Sequence, residues 1–304
     1  MLEIKPTSSR TLRPKIVAGL GLISAMLGNP SRVSAQFADS VTATHVAGSV
    51  YMLEGAGDVI TASIGADGVL LVDNGFAQTT ESVRNAIRNL GGGDPDIIIN
   101  THWHHAGANA DFSNSATIIA HRLTRERLAE GATMYTQEMP PVSNEALPDV
   151  IFDDSLSIFF NGEEIKLVYL PHAHTDTDIA VIFTESGVVS VGDVFVTLIP
   201  VTDFASGGDL YASADAIDYL IERLSPEIKI IPGHGRLASY EDLVEFGEMF
   251  TGMTSYVEGM IEQGQSVETT IEAGIPDQWQ SWMSDMLPVD FVLANFYEGI
   301  QKRR

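Results

Sequence analysis

Six of the eight histidines in this chain follow short apolar segments that the residue pattern predicts to be β-strands. They are His102, His104 and His105 after segment 96–100, His172 and His174 after segment 164–170, and His234 after segment 229–231. Asp193 likewise follows a predicted strand, 188–191. Loops at strand ends are where mixed α/β folds place their binding and catalytic residues. The pattern therefore predicts interleaved strands and helices, with these side chains converging at one edge.

The residue types in these loops restrict which metal they can bind. The chain has no cysteine, so disulfides and thiolate metal sites are excluded. Imidazole and carboxylate groups remain, and these suit zinc. His102 and His104 are one residue apart, so both can reach one ion, and a third histidine completes three protein ligands. The fourth position stays open for water, whose pKa zinc lowers towards ~7.

A series of short motifs carries a family resemblance. The motifs are Asp73-Asn74-Gly75, Asn100-Thr101-His102-Trp103-His104, Ile119-Ala120-His121, Ala173-His174-Thr175, Gly192-Asp193 and Pro232-Gly233-His234-Gly235. In this order and at these separations, the sequence resembles the metallo-β-lactamase fold superfamily from about Val50 to Ala238. The resemblance implies a four-layer αββα sandwich, in which two mixed sheets face each other with helices outside and a zinc site along one edge.

The histidine motif departs from the family pattern. Family members usually carry His-x-His-x-Asp-His before a small residue, Gly, Gly or Ala, and Asn. This chain has His102-Trp103-His104-His105-Ala106-Gly107-Ala108-Asn109, which is two residues shorter and lacks the Asp. In one alignment His105 is the final histidine of the motif. In the other it occupies the variable position, and both Asp and His are lost. The sequence leaves both alignments open.

The resemblance assigns metal ligands residue by residue. The expected ligands are His102, His104 and His174 for the first zinc ion and His105 and His234 for the second, with Asp193 bridging both. Asp193 and His105 are expected to be catalytic. Two zinc ions are expected if the second site survives the missing Asp, and one otherwise.

Other residues are expected to support these ligands. Asp73 is predicted to hold a ligand histidine or the loop backbone, and His121 to have a structural role or to support a ligand, rather than to bind an ion. Loss of the motif's Asp removes a negative ligand, and the resemblance implies that this residue also orients the attacking water. Asp111, the nearest later carboxylate, is predicted to lie on the following helix and to face elsewhere.

The N-terminal residues have the pattern of a secretory signal peptide. Four basic residues precede the apolar segment 16–27, and Val33-Ser34-Ala35 is a typical cleavage pattern. An uncleaved anchor is the alternative. Residues 1–35 are therefore predicted to direct export, with a periplasmic or secreted location and no membrane attachment after cleavage. Residues 36–248 are predicted to form the metallo-β-lactamase-like domain and residues 249–304 a helical C-terminal extension with a Met-rich packing stripe.

These expectations lead to two functional hypotheses. The first is a secreted zinc hydrolase of small molecules, in which a metal-bound hydroxide attacks the carbonyl of a β-lactam, lactone, thioester or other ester. Residues 131–150, predicted to be mostly a long surface loop, and the C-terminal helices would be its lids. The second is a degenerate member with one zinc or none and a binding or vestigial role. Removal of residues 1–35 takes five of 17 basic and one of 41 acidic residues, leaving a net charge of −28, which disfavours nucleic-acid partners.

Overall fold

A computed structural model describes residues 41–284 and 286–304. The predicted signal peptide, 1–35, lies outside the described residues. Two sheets face each other with helices on their outer sides, as predicted. The strands are β1 (Thr42–Ala47), β2 (Val50–Glu54), β3 (Ile60–Gly65), β4 (Gly68–Val72), β5 (Ile97–Ile99), β6 (Thr117–His121), β7 (Ala132–Met134), β8 (Gln137–Met139), β9 (Val150–Phe152), β10 (Ser155–Phe160), β11 (Glu163–Tyr169), β12 (Ile179–Phe183), β13 (Val188–Ser190), β14 (Lys229–Ile231) and β15 (Ala238–Ser239).

Most of the helices lie between or after these strands in the chain. They are α1 (Thr80–Asn89), α2 (Asn109–Phe112), α3 (Arg122–Glu130), α4 (Leu210–Arg223), α5 (Tyr240–Glu262), α6 (Val267–Ala273) and α7 (Val289–Arg303). Single 3-10 turns occur at Trp103–His105 and Gly192–Val194, both in loops that carry predicted ligands. In the described part of the chain, no helix is both long enough and apolar enough to cross a membrane.

The first sheet brings three loops to one edge. Its strand order is β1-β2-β3-β4-β5-β6-β9. Strands β1 to β4 are antiparallel neighbours, and β4, β5, β6 and β9 are parallel. The β5 segment Ile97–Ile99 is apolar throughout, as a strand covered on both faces requires. Because parallel strands end at the same edge, Asp73 after β4 and the His102 loop after β5 become neighbours.

The second sheet supplies the remaining loops. Strands β10 to β15 follow in sequence order, and only β13 and β14 are parallel. The β10–β11 hairpin turns at Asn161-Gly162, where both residues have positive φ, the conformation that an Asn-Gly pair favours in a tight hairpin turn. His174 lies in the loop after β11, Asp193 follows β13, and His234 follows β14.

Apolar side chains fill three core layers: one between the two sheets, and one between each sheet and the helices outside it. The layer between the sheets includes Met52, Leu70, Ile99, Leu167, Val181 and Ile231. Helices α1 and α2 cover the outside of the first sheet, where Ile87 and Phe112 are fully buried. Helices α4, α5 and α7 cover the second sheet. Each such buried side chain contributes roughly 1.5–3 kcal/mol, so packing holds the loop-bearing strand ends in fixed positions.

The C-terminal helices share the core of the second sheet. The predicted boundary between residues 248 and 249 falls inside helix α5, which is continuous across it. The Met-rich stripe is buried: Met249, Phe250 and Met253 pack in one cluster with Phe296 of α7.

Segment 131–148 differs from the predicted surface loop because it forms the hairpin β7–β8 and then a short turn. Met134 and Met139 pack against the small cluster that contains Trp103 and Leu128. Tyr135, at the hairpin tip, has a φ of 53° and points towards the histidines. Strand β9, which the sequence analysis also missed, pairs with β6.

Candidate metal centre

Asp73 holds the histidine loop in place. Its Oδ1 accepts a hydrogen bond from the backbone N–H of Thr101 (2.8 Å), and its Oδ2 accepts one from the Thr101 hydroxyl (2.7 Å). The same Oδ2 lies 3.0 Å from Nδ1 of His105. Asp73 has a φ of 63°, a conformation that persists in a non-glycine residue only where several contacts hold it. It therefore orients the loop and His105 together.

Buried amides close the shortened loop from its other side. Asn109 donates to Oδ1 of Asn100 (2.9 Å), and Asn100 donates to Oδ1 of Asn109 (3.1 Å). Oδ1 of Asn74 accepts from the backbone N–H of Ala108 (3.0 Å). The loop thus has a complete internal network although it lacks two residues of the family motif.

The first group of ligands consists of three imidazoles and one carboxylate: His102, His104, His174 and Asp193. Nε2 of His102 and Nε2 of His174 lie 3.8 Å and 3.6 Å from Oδ2 of Asp193. Nδ1 of His104 lies 3.3 Å from Nε2 of His174. Their ligand atoms lie within 4.8 Å of one another, so one cation can contact all four residues.

The second group shares Asp193 with the first. Nε2 of His105 and Nε2 of His234 lie 3.6 Å and 3.5 Å from Oδ1 of Asp193. The structure thus places His105 where the first of the two alignments puts it, as the final histidine of the motif. Asp193 faces one group with each oxygen, which is the geometry of a bridging carboxylate.

Further polar groups fix the first group of imidazoles. Nε2 of His104 lies 3.0 Å from Oδ2 of Asp203, which leaves Nδ1 for an ion. Nδ1 of His174 donates to the carbonyl of Val201 (2.9 Å), which leaves Nε2 free to ligate. The Tyr135 hydroxyl lies 3.5 Å from that Nε2, so a phenol reaches the centre from the β7–β8 hairpin. Such partners set the tautomer and orientation of ligand histidines.

Burial and charge act differently on the two groups. Burial lowers the pKa of His102 well below its usual value and that of His104 to about 4, against the opposing effect of Asp203 on His104. Burial also opposes protonation of His105, but Asp193, Asp73 and Asp58 raise its pKa to about 10. The pKa of His234 is raised as well, against burial, mainly by Asp193. Burial therefore favours the neutral form of His102 and His104 in the first group, whereas the carboxylates favour the cationic form of His105 and His234 in the second.

Two buried atoms indicate that the groups fit a metal ion. Nε2 of His102 and Oδ1 of Asp193 are buried and make no hydrogen bond. Such atoms cost free energy unless another partner satisfies them. Both atoms face the neighbouring ligands, and imidazole with carboxylate is a donor set for zinc. The residues present therefore fit a bound divalent cation.

The remaining predicted residues lie outside the two groups. His121 begins helix α3: its Nδ1 accepts from the Leu123 N–H (3.4 Å), and its ring stacks on Tyr169. Its contacts are those of a capping residue, not of a support for the ligands. Asp111 accepts a hydrogen bond from Thr80 of helix α1 (3.0 Å), so it faces away as predicted.

The sequence analysis missed three residues near the ligands: Asp58, Tyr135 and Asp203. Each lies in a segment without strand or helix periodicity. The Gly55–Asp58 segment reads only as a turn, and neither of the other two belongs to a family motif. Their positions depend on contacts between distant segments, such as the hydrogen bond from the Tyr135 N–H to Oδ1 of Asp203 (3.0 Å). No local sequence signal would have found them.

Known structures share this architecture. The stereoselective inverting sec-alkylsulfatase Pisa1 from Pseudomonas sp. is similar with a TM-score of 0.66 at 13% identity, over 85% of this chain and 50% of that one. A double mutant of PisA1 gives a TM-score of 0.65 at 14% identity over the same shares. A metallo-beta-lactamase from Pontibacter korlensis gives 0.55 at 19% identity, over 70% of this chain and 99% of that one. This chain spans about half the alkylsulfatase's length, and at these identities the likeness shows the fold alone.

Among curated protein sequences, none matches this chain significantly. The family described as the metallo-beta-lactamase superfamily matches residues 44–236, a range that includes every residue of the two groups. Since this match covers more than half of the 304 residues, the chain belongs to the metallo-β-lactamase superfamily.

Proposed function

We propose that this chain is a zinc-dependent hydrolase that cleaves a β-lactam, lactone, thioester or other ester of a small molecule. The observation that carries the proposal is the pair of buried, unbonded ligand atoms, Nε2 of His102 and Oδ1 of Asp193, within two groups of imidazoles. Buried polar atoms that lack a hydrogen bond are uncommon in folded proteins, and a bound cation would give both atoms a partner.

The protein's own residues supply a pre-oriented donor set. When bound, zinc supplies a Lewis acid and lowers the pKa of coordinated water towards ~7. His102, His104 and His174 would hold the first ion, and His105 and His234 the second, with Asp193 shared. Because Asp203 and the Val201 carbonyl fix His104 and His174, the first three donors need little reorganisation to bind.

The Tyr135 hydroxyl is suited to bind the substrate. Burial, with Asp193 and Asp203 nearby, raises the pKa of Tyr135 well above its usual value, so the phenol stays protonated and can donate. It lies beside His174, and a donor in this position would stabilise negative charge that develops on a substrate oxygen. The β7–β8 hairpin would then act as part of the substrate site.

The compartment and partners follow from the sequence. The basic and then apolar N-terminus supports export to a periplasm or the cell exterior by a cleaved signal peptide. The net charge of −28 after cleavage supports a small-molecule substrate and disfavours nucleic acid.

Metal content and substrate screening test the proposal together. The purified protein should contain zinc by elemental analysis and lose hydrolytic activity after chelation, with recovery on zinc addition. The substrate panel should include a chromogenic cephalosporin, a lactone, a thioester and a carboxylic ester. A secondary alkyl sulfate belongs in the panel because the fold is similar to that of an alkylsulfatase. If that compound alone is cleaved, the proposed substrate class changes from carbonyl compounds to sulfate esters.

His102→Ala is the first variant to test. We expect it to lose most bound zinc, because His102 contributes a buried imidazole with no other partner at Nε2. His45→Ala is the matched control, since His45 lies on β1, outside both ligand groups, with its ring beside the Gly48 carbonyl and the Tyr51 ring. Unchanged zinc stoichiometry in a folded His102→Ala protein contradicts the assignment of His102 as a metal ligand. A wild-type protein that cannot be loaded with metal supports the degenerate alternative.

A further inference from the structure

The second ligand group offers little negative charge to offset the charge of a divalent cation. It contains two imidazoles and one oxygen of Asp193, whose other oxygen faces the first group. The shortened histidine loop contributes no carboxylate of its own. A cation in this position would remain poorly compensated in a buried site, and that is unfavourable unless another anion lies close by.

Asp58 approaches this group from another part of the fold. It lies in the turn between β2 and β3, and only 3% of its surface is exposed. The next residue, Val59, donates its backbone N–H to the carbonyl of Gly233 (2.9 Å). Because Gly233 immediately precedes His234, this bond ties the turn to the loop that carries a second-group ligand.

The carboxylate of Asp58 is not satisfied by hydrogen bonds. Its Oδ1 is buried and makes none. Its Oδ2 lies 3.7 Å from Nδ1 of His105, which is already within 3.0 Å of Asp73. The carboxylate is close enough to both His105 and His234 to interact with each electrostatically.

The other nearby carboxylates are already committed. Asp73 accepts hydrogen bonds from Thr101 with both oxygens and also contacts His105. Asp111, the nearest later carboxylate in the sequence, accepts from Thr80 on the outside of the sheet. Of these three side chains, Asp58 is the one beside the second group that keeps a buried carboxylate oxygen without a hydrogen bond.

We propose that Asp58 is the carboxylate that offsets the charge of the second metal ion and so replaces the Asp that the histidine loop lacks. The proposal rests on the metal-dependent function proposed above. Oδ2 of Asp58 faces the Nδ1 side of His105, whereas Nε2 of His105 faces Asp193. Asp58 thus acts as a positioning residue, through its charge and through His105, and is not itself assigned a bond to the ion.

Stepwise metal titration of Asp58→Asn tests this role. The substitution preserves the shape of the side chain and removes its charge. Metal-free protein is titrated with Co²⁺ and then with Zn²⁺ against a competing chromogenic chelator. We expect the first equivalent to bind as in the wild type and the second to bind ~10–100-fold more weakly, as is typical when a partner of a ligand histidine is lost. Asp111→Asn is the matched control and should bind both equivalents normally.

The possible outcomes separate this inference from the proposed function. Equal second-site affinity in folded Asp58→Asn and wild type overturns the role of Asp58 and leaves the metal-dependent function standing. A wild type that binds one equivalent also overturns it, because no second ion is then held. A wild type that binds no metal overturns the proposed function itself. If thermal melting shows that Asp58→Asn is unfolded, Asp58→Ala, which buries no unbonded polar atom there, takes its place under the same criteria.

Discussion

The two ligand groups that meet at Asp193 differ in how the protein prepares them for a cation. The first contains imidazoles whose pKa values burial lowers, to about 4 for His104. The second contains His105, whose pKa surrounding carboxylates raise to about 10 despite its burial. In the first group, burial thus keeps His102 and His104 neutral, and hydrogen bonds hold His104 and His174 in place. The second is a set of imidazoles surrounded by negative charge.

This difference shows how a metal centre can tolerate a shortened motif. The first group takes two ligands from the intact His102-Trp103-His104 segment, so the deletion leaves its local spacing unchanged. The second group lacks the motif's carboxylate but lies beside Asp58, in the turn between β2 and β3, and Asp73, in the loop after β4. Segments that are distant in the chain can therefore place carboxylates beside a ligand group. Closely spaced imidazoles such as His102 and His104 depend instead on the sequence of one loop.

The largest effect is expected for Asp193→Ala, because Asp193 belongs to both groups. We expect loss of both metal equivalents and a fall in activity of at least about 10³-fold, equivalent to the several kcal/mol that metal ions supply to catalysis. Asp218→Ala on an exposed position of helix α4 serves as control. Retention of one tightly bound ion in Asp193→Ala shows that the two groups are independent and removes the bridging role.

A smaller and selective effect is expected for Asp203→Asn. Asp203 contacts Nε2 of His104 at 3.0 Å, so its loss should weaken the first ion by ~10–100-fold and leave the second unchanged. This is the reverse of the pattern expected for Asp58→Asn. Titration of both variants with Co²⁺ compares the groups directly, and equal weakening of both ions in Asp203→Asn contradicts the division into two centres.

The smallest effect concerns the stability of the metal-free protein. The folded-state pKa of His104 lies below its unfolded value, so its contribution is fully present above pH ~6.5 and is lost as the pH falls towards 4. The lowered pKa of His104 predicts that the free energy of unfolding of metal-free wild type falls by about 1 kcal/mol between about pH 7.5 and about pH 6.

Denaturant unfolding of chelator-treated protein across this range measures the difference. His104→Gln should show a correspondingly weaker decline. His105 has the opposite sign, because its raised pKa makes its stabilisation complete below pH ~6.5 and lost as the pH rises through about 10. His105→Gln should therefore flatten the alkaline side of the profile. A decline on the acid side that is identical in wild type and His104→Gln contradicts the lowered pKa.

Much of the fold could be predicted from the sequence because its signals are local. The β10–β11 hairpin follows from Asn161-Gly162, and helix α1 from an apolar face ended by glycines. The β7–β8 hairpin could not be predicted, because Tyr135 at its tip combines a positive φ with a hydrogen bond from its N–H to Asp203. That partner lies 68 residues away along the chain, so no local pattern records it.

The sequence alone determined the family and, through the family resemblance, the αββα layers, and it predicted which imidazoles would gather at one edge, because the motifs that carry the resemblance consist of consecutive residues. Only the tertiary structure decided that His105 faces Asp193, that Asp203 holds His104, and that Asp58 lies beside the second group. These relations join segments that are distant in the chain, and the packing of one sheet on the other brings them together. The charge around a metal site depends on distances in space, which the order of residues does not specify.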